Sequence, residues 1–143
     1  MIVADTNLIA CFLLKGPASS AAESVFLADP AWIVPRLWRS EFRNVLATHL
    51  RAGLVELEDA REIFKKAALI LSSGERDVPE DRILGLAAES GCSAYDCEFV
   101  ALAEFHQVPL VTADKKLLKA FPGSARSFEK FLEENKRVRR ADA

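Results

Sequence analysis

Ile2-Val3-Ala4-Asp5-Thr6-Asn7 opens the chain with three apolar residues that run straight into an aspartate. A short apolar run bounded in this way reads as a buried strand, and Asp5-Thr6-Asn7 as the turn or helix start that follows it. Leu110-Val111-Thr112-Ala113-Asp114 repeats the arrangement late in the chain, at the end of a strand candidate that begins near Val108. Trp32-Ile33-Val34 is a further strand candidate, Asp77-Val78-Pro79 a brief one, and Ala125-Arg126-Ser127 an edge strand. Helical stretches separate them. Leu8 to Leu14 is apolar and broken by Gly16-Pro17, and Ser20-Ala21-Ala22-Glu23 fits a capping box that opens a helix to about Ala28. Pro35 suits the first turn of a long helix that reaches about Ala52 and stops at Gly53. Helical spacing predicts further helices over 58–72, from Glu80 to Ser90, from Ser93 to about His106, from Lys115 to Phe121 and from Phe128 to Glu134. Short strands alternating with helices predict an α/β fold, a short central parallel sheet with helices on both faces.

Composition agrees with one folded unit. The chain has 143 residues, 50% hydrophobic and 28% charged, and at that size roughly 68% of the unfolded surface can be buried without a disulfide or structural zinc. No apolar run approaches the roughly 20 residues that cross a bilayer, and Met1-Ile2-Val3-Ala4-Asp5 has no basic region of the kind a secretory leader carries. Cys11, Cys92 and Cys97 are three, without paired spacing, which reads as reduced thiols in a cytoplasm. Nineteen Lys and Arg against 21 Asp and Glu give −2, so net charge does not announce a nucleic-acid partner and a site must. The tail Lys136-Arg137-Val138-Arg139-Arg140 reads as a frayed, solvated end. Contact with RNA or with an acidic partner is its other reading.

The acids are the informative residues. In open parallel sheets ligands bind at the carboxyl ends of strands, where Asp5 and Asp114 both fall. Each could also be a helix N-cap. Glu41 lies three or four residues from Leu37, Trp38 and Val45, inside the apolar stripe of its helix. An unpaired carboxylate there costs several kcal/mol, in order of magnitude, so it must be paired, protonated or bound to a cation. A salt bridge to Arg39, Arg43 or a distant arginine is the alternative. Asp96 precedes Phe99, Val100 and Ala103 on an apolar face, and Ser93-Ala94-Tyr95-Asp96 also fits a capping box.

Four acids converging on one crevice would repel, and some would take up protons. Oxygen ligands without His or Cys select a hard ion, Mg²⁺ or Mn²⁺. Such a cluster suits phosphodiester hydrolysis, in which one or two metals polarise the phosphate and activate a water. Thr6, Asn7, Ser93 and Thr112 stand beside the acids and could hold them in place, or could cap the local backbone. No Gly-rich phosphate loop, Gly-x-Ser-x-Gly or His-Glu-x-x-His occurs, and His49 and His106 sit toward helix ends. Two other functions fit the same crevice. One is an aspartyl-phosphate phosphatase with Asp5 as nucleophile, although Asn7 stands where that chemistry uses a second aspartate. The other is a non-catalytic module that binds a metal or a partner.

Val3-Ala4-Asp5-Thr6-Asn7, Trp38-Arg39-Ser40-Glu41-Phe42, Ser93-Ala94-Tyr95-Asp96 and Leu110-Val111-Thr112-Ala113-Asp114, in that order and over nearly the whole length, resemble the PIN-domain ribonucleases, most closely the VapC-type toxins of toxin–antitoxin pairs. The resemblance implies an α/β/α sandwich, with residues 1–135 as the nuclease domain and 136–143 as a basic tail. It implies that Asp5, Glu41, Asp96 and Asp114 are the metal-binding and catalytic set, supported by Asn7 and Thr112. It further implies Mg²⁺- or Mn²⁺-dependent endonucleolytic cleavage of RNA, a cognate antitoxin that blocks the site, and a homodimer. Some relatives carry a further acid after the last aspartate, where this chain has Lys115 and Lys116, which bears on a second metal.

Overall fold

The computed structural model describes residues 1–143, running β1 (Ile2–Ala4), α1 (Thr6–Leu13), α2 (Ser19–Ala28), β2 (Trp32–Pro35), α3 (Trp38–Arg51), α4 (Leu57–Leu71), a single 3₁₀ turn (Ser72–Gly74), β3 (Glu75–Arg76), α5 (Glu80–Ser90), α6 (Ala94–His106), β4 (Leu110–Val111), α7 (Lys115–Ala120), β5 (Ala125–Arg126) and α8 (Phe128–Ala141). The five strands form one sheet in the order β3-β2-β1-β4-β5, every pairing parallel. A parallel sheet needs a crossover between neighbours, and the helices that cross over bury both of its faces. β1, β2 and β4 are accordingly buried along their whole length. This is the α/β sandwich that the alternation of elements predicts.

The strand order positions the site. From β1 the chain winds outward through β2 to β3, then returns to lay β4 on the other side of β1. At such a reversal the crossovers leave in opposite directions and open a crevice beyond the strand ends. Val3 pairs with Leu110 and Ala4 with Val111, so Asp5 emerges level with Thr112. α6 packs against β1, β2 and β4. Its run Phe99–Ala103 is buried without a break, together with Cys97, as suits a helix enclosed by the core. Two aromatic groups fill the remaining space: Phe12, Phe26 and Trp32, with ring centroids 4.7–5.3 Å apart, and Trp38, Phe42 and Phe64, at 5.7–6.3 Å.

Several boundaries differ from those that the sequence predicts. Pro35 ends β2, paired with Arg76, and α3 begins three residues later. Pairing with β3 takes Pro35, whose missing N–H does no harm at the end of a strand. The Ser20–Glu23 capping box does not form. Ser19 closes that turn instead, its hydroxyl accepting from the Gly16 N–H at 2.9 Å and donating to the Leu14 carbonyl at 2.9 Å, and α2 starts there. β3 lies at Glu75–Arg76 rather than Asp77–Pro79, because Gly74 lets the chain close on β2: a Cβ there would stand 2.1 Å from the Trp32 carbonyl oxygen. α8 continues through Lys136-Arg137-Val138-Arg139-Arg140 to Ala141, two turns beyond Glu134. The stretch is helical rather than frayed, and Arg139 Nη2 donates to the Ala28 carbonyl at the end of α2 at 3.2 Å. No helix is long and apolar enough to cross a membrane.

Candidate active site

The backbone of Asp5 extends the ladder between β1 and β4, its N–H donating to the Val111 carbonyl at 3.2 Å. Its carboxylate is held on both oxygens. Oδ1 accepts the Thr6 N–H at 2.8 Å, which caps α1, while Oδ2 accepts the Thr112 hydroxyl at 2.6 Å and Asn7 Nδ2 at 3.2 Å. Thr112 Oγ1 in turn accepts from Asn7 Nδ2 at 3.1 Å and from the Asp114 N–H at 3.0 Å, and Asn7 Oδ1 accepts the Ala113 N–H at 3.0 Å. Asn7 and Thr112 therefore tie the loop after β1 to the loop after β4. The Thr112 hydroxyl, with one proton and two lone pairs, has no capacity left.

Glu41 stands in the first turn of α3, and its Oε1 accepts the Thr6 hydroxyl at 2.8 Å. No arginine neutralises it. Arg39 pairs with Glu75 at 2.5 Å, an oxygen that also accepts Trp38 Nε1 at 3.0 Å. Arg43 lies over the Phe64 ring, 4.6 Å from its centroid. Asp114 caps α7, its Oδ1 accepting the Lys116 and Leu117 N–H groups at 2.8 and 3.2 Å, which leaves Oδ2 without a backbone donor. Asp96 sits in the first turn of α6, where the Ser93 hydroxyl accepts its N–H at 3.1 Å. The return bond from the Ser93 N–H to the Asp96 carboxylate is not made, so the capping box stays half closed, while the Ser93 hydroxyl also opposes the rise of the Asp96 carboxyl. Thr6, Asn7 and Thr112, by contrast, each reach an acid or a loop remote from their own turn.

Asp5, Glu41, Asp96 and Asp114 all line one cavity of about 410 Å³. Their charges are felt across it. Burial pushes the Asp5 carboxyl up to about 6; hydrogen bonds from Thr112 and Thr6 oppose this, and Glu41 and Asp96 add to it. Glu41 is raised by burial, then by Asp96 and Glu98, against the Thr6 hydroxyl. Asp96 is raised by burial and by Asp114, against the Ser93 hydroxyl and the Lys116 ammonium. No three His, Cys, Asp or Glu side chains are close enough together to ligate one ion.

Residues 2–122 match the PIN domain. The chain belongs to the PIN-domain family. Over 127 residues it is 31% identical to ribonuclease VapC3 of Pyrobaculum aerophilum, covering 85% of this chain and 95% of that protein. Exonuclease VapC9 of the same organism is 35% identical over 86 residues, 59% of this chain and 62% of that protein. Among solved structures the fold is shared with PAE2754 from Pyrobaculum aerophilum (TM-score 0.75, 22% identity, 95% of this chain and 96% of that one). It is shared also with FitAcB from Neisseria gonorrhoeae (0.69, 16%, 90% and 99%) and with a toxin–antitoxin complex from Klebsiella pneumoniae (0.61, 18%, 90% and 98%).

In this PIN-domain chain the cavity also has walls that sequence reasoning passed over. Asn44 lines it one helical turn beyond Glu41, a position that the three-residue spacing already implies. Glu98 bears on Glu41, and Lys116 Nζ donates to the Gly91 carbonyl at 3.0 Å, tying α7 to the turn before α6. No local pattern marks either, because each acts across a tertiary contact. His49 stays within its own helix, its Nδ1 2.9 Å from the Val45 carbonyl oxygen.

Proposed function

We propose that the chain is an RNA endonuclease that hydrolyses phosphodiester bonds at the carboxylate cavity with Mg²⁺ or Mn²⁺, as the toxin of a toxin–antitoxin pair. One observation carries this reading: four carboxylates from four separate segments line one cavity at the switch point of a parallel sheet, with no arginine or lysine in an ion pair to any of them. Burying acids in that way raises three of their pKa values and costs stability, which a fold tolerates where the charges have work to do.

The donor set fits a hard divalent cation. All of its ligand atoms are oxygens, and the burial that lifts Asp5 to about 6, with Glu41 and Asp96 adding to it, is a penalty on the ionised form that a cation would offset. Asp5, Asp96 and Asp114 would draw together to hold it, since no three acids stand close enough to ligate one ion as they are, with Glu41 as a further ligand or as the base that orients the attacking water. A bound ion would supply Lewis-acid polarisation of the phosphate and make a neutral-pH hydroxide accessible. The remaining work belongs to the chain. Thr112 and Asn7 fix the Asp5 carboxylate against rotation and in its ionised form, and Thr6 turns Glu41 toward the cavity. The Lys116 ammonium, held at the Gly91 carbonyl, gives the phosphate a positive neighbour. Family likeness supports the rest: the relatives bear the names ribonuclease and exonuclease, and one structural neighbour is a toxin–antitoxin complex. A cognate antitoxin, a homodimer and action in the cytoplasm complete the reading.

Incubating purified, antitoxin-free chain with a structured RNA in Mg²⁺, Mn²⁺ or EDTA, beside Asp96→Asn, tests it. Metal-dependent cutting that the variant loses is the expected result. Equal cutting by both proteins would remove Asp96 from the site.

A further inference from the structure

Charge is distributed very unevenly along this chain. Residues 115–143 hold nine of the 19 Lys and Arg but four of the 21 Asp and Glu, so this stretch carries +5 while the rest of the chain carries −7. Of those nine cations only Arg126 is in an ion pair, with Glu134. Apart from Lys130, in the first turn of α8, the others fall in two groups. Lys115, Lys116 and Lys119 belong to α7, the helix that Asp114 caps, and the Lys116 ammonium acts on Asp96. Lys136, Arg137, Arg139 and Arg140 occupy the last two turns of α8, all exposed. Helical spacing sets Lys136, Arg137 and Arg140 away from Phe128 and Phe131, the residues by which α8 is buried.

The topology fixes where the second group stands. Val111 pairs with Arg126, so α8 begins level with the strand ends that bear the acids. From Ser127 to Arg140 a helix advances about 20 Å, and Arg139 ends against the Ala28 carbonyl, in the segment that leads into the opening residues of β2. α7 and α8 both pack on β5. Four cations outside any ion pair thus lie about 13–20 Å along the α8 axis from the level of the strand ends that bear the acids, beyond the residues 2–122 that match the PIN domain, and the α7 lysines follow directly on Asp114. A nucleic-acid duplex carries one phosphate charge per about 1.7 Å of axis, so 20 Å spans on the order of a dozen phosphates.

We infer that the last two turns of α8 are a second RNA-contact surface, which holds the backbone of a structured RNA whose scissile strand lies in the carboxylate cavity. The inference rests on the nuclease reading for the identity of the polyanion. The contact is made through phosphates and carries no base sequence. It selects RNAs long enough to reach from the cavity past α7 to the far end of α8.

The test is binding of a fluorescently labelled RNA hairpin to the full chain, in EDTA so that affinity is read apart from cleavage, between about 50 and 200 mM salt. The variant Lys136→Gln/Arg137→Gln/Arg139→Gln/Arg140→Gln keeps good helix formers throughout. It is expected to bind at least about tenfold more weakly at 100 mM salt and to lower the slope of log affinity against log salt by about 3, since each phosphate contact contributes close to one. The variant Arg137→Lys/Arg139→Lys/Arg140→Lys keeps the charge and is expected to retain the slope, as is Arg51→Gln/Lys66→Gln, which removes two cations elsewhere. An unchanged slope in the four-glutamine variant overturns the inference. So does a loss of binding confined to poly-glutamate, which would assign the surface to an acidic protein segment. If the hairpin binds in a tail-dependent way but is never cut with metal, the nuclease reading fails and the surface stands.

Discussion

Asp5→Asn, compared with the wild type across pH in EDTA, separates the charge of Asp5 from its hydrogen bonds. The folded carboxyl titrates near 6 rather than 3.8, mainly through burial, a difference worth about 3 kcal/mol. Because the folded-state value is the higher one, the native state binds more protons than the unfolded state between those two pH values, and stability falls as pH rises through that window. The penalty is absent below pH 3.8 and complete above about 7. Asparagine is never charged and escapes it. It loses hydrogen bonds at every pH, however: Oδ1 can still accept the Thr6 N–H, but the new NH₂ would face a Thr112 hydroxyl whose lone pairs already take Asn7 and Asp114. That costs about 1–2 kcal/mol. The variant should therefore be less stable than the wild type near pH 4 by about 1–2 kcal/mol and more stable near pH 7.5 by about 1 kcal/mol, a swing of about 3 kcal/mol. Urea unfolding at each pH reads the difference directly; acids remote from the cavity cancel because both proteins carry them, and relief of Glu41 and Asp96, which are coupled to Asp5, acts in the same direction. A difference that stays flat with pH, or that runs the other way, would refute the account of Asp5 as a charge held against its solvation.

Other outcomes follow from the same geometry. In Mg²⁺ or Mn²⁺ at 100 times its dissociation constant the wild type should gain about 2.7 kcal/mol, seen as a higher melting temperature, and Asp5→Asn should gain much less. Thr112→Val keeps the shape and removes a hydroxyl that serves three partners, and should destabilise by about 2–3 kcal/mol in urea. Thr6→Val leaves Glu41 without the donor that opposes its upward shift, so the acidic limb of the cleavage-rate profile should move to higher pH while the alkaline plateau changes less. Gly74→Ala drives a Cβ to 2.1 Å from the Trp32 carbonyl oxygen, and should part β3 from β2 at a cost of about 3 kcal/mol, or roughly 6–12 °C in melting temperature.

Much of the fold was legible because it is written in local patterns. Apolar triplets ending in Asp5 and near Asp114 marked the two central strands, and the sequence placed Gly91 after α5 and Ser93 before α6, where the structure has an αL residue and a cap. Glu41 stood out because the helical period puts it among Leu37, Trp38 and Val45, a conflict between residue and surroundings that needs no tertiary information. The misplaced boundaries have the opposite character. Pro35 suited a helix start in its own neighbourhood and lost to a pairing with Arg76, which is 41 residues away. Ser20 and Glu23 matched a capping pattern, but a turn closed by Ser19 was already in place one residue earlier.

The sequence by itself determined the alternation of short strands with helices, the place of most of them, and which acids are out of place on them, since periodicity and capping act within a few residues. Only the tertiary structure decided that β4 returns to the far side of β1. That crossover sets Asp5 beside Thr112, brings Asn7 to the Ala113 N–H and gathers four acids from distant segments around one cavity. It also decided that Glu41 goes without a cation, because Arg39 is taken by Glu75 and Arg43 by the Phe64 ring. Both facts depend on which segments meet when the sheet closes, and no interaction within a single segment carries that information.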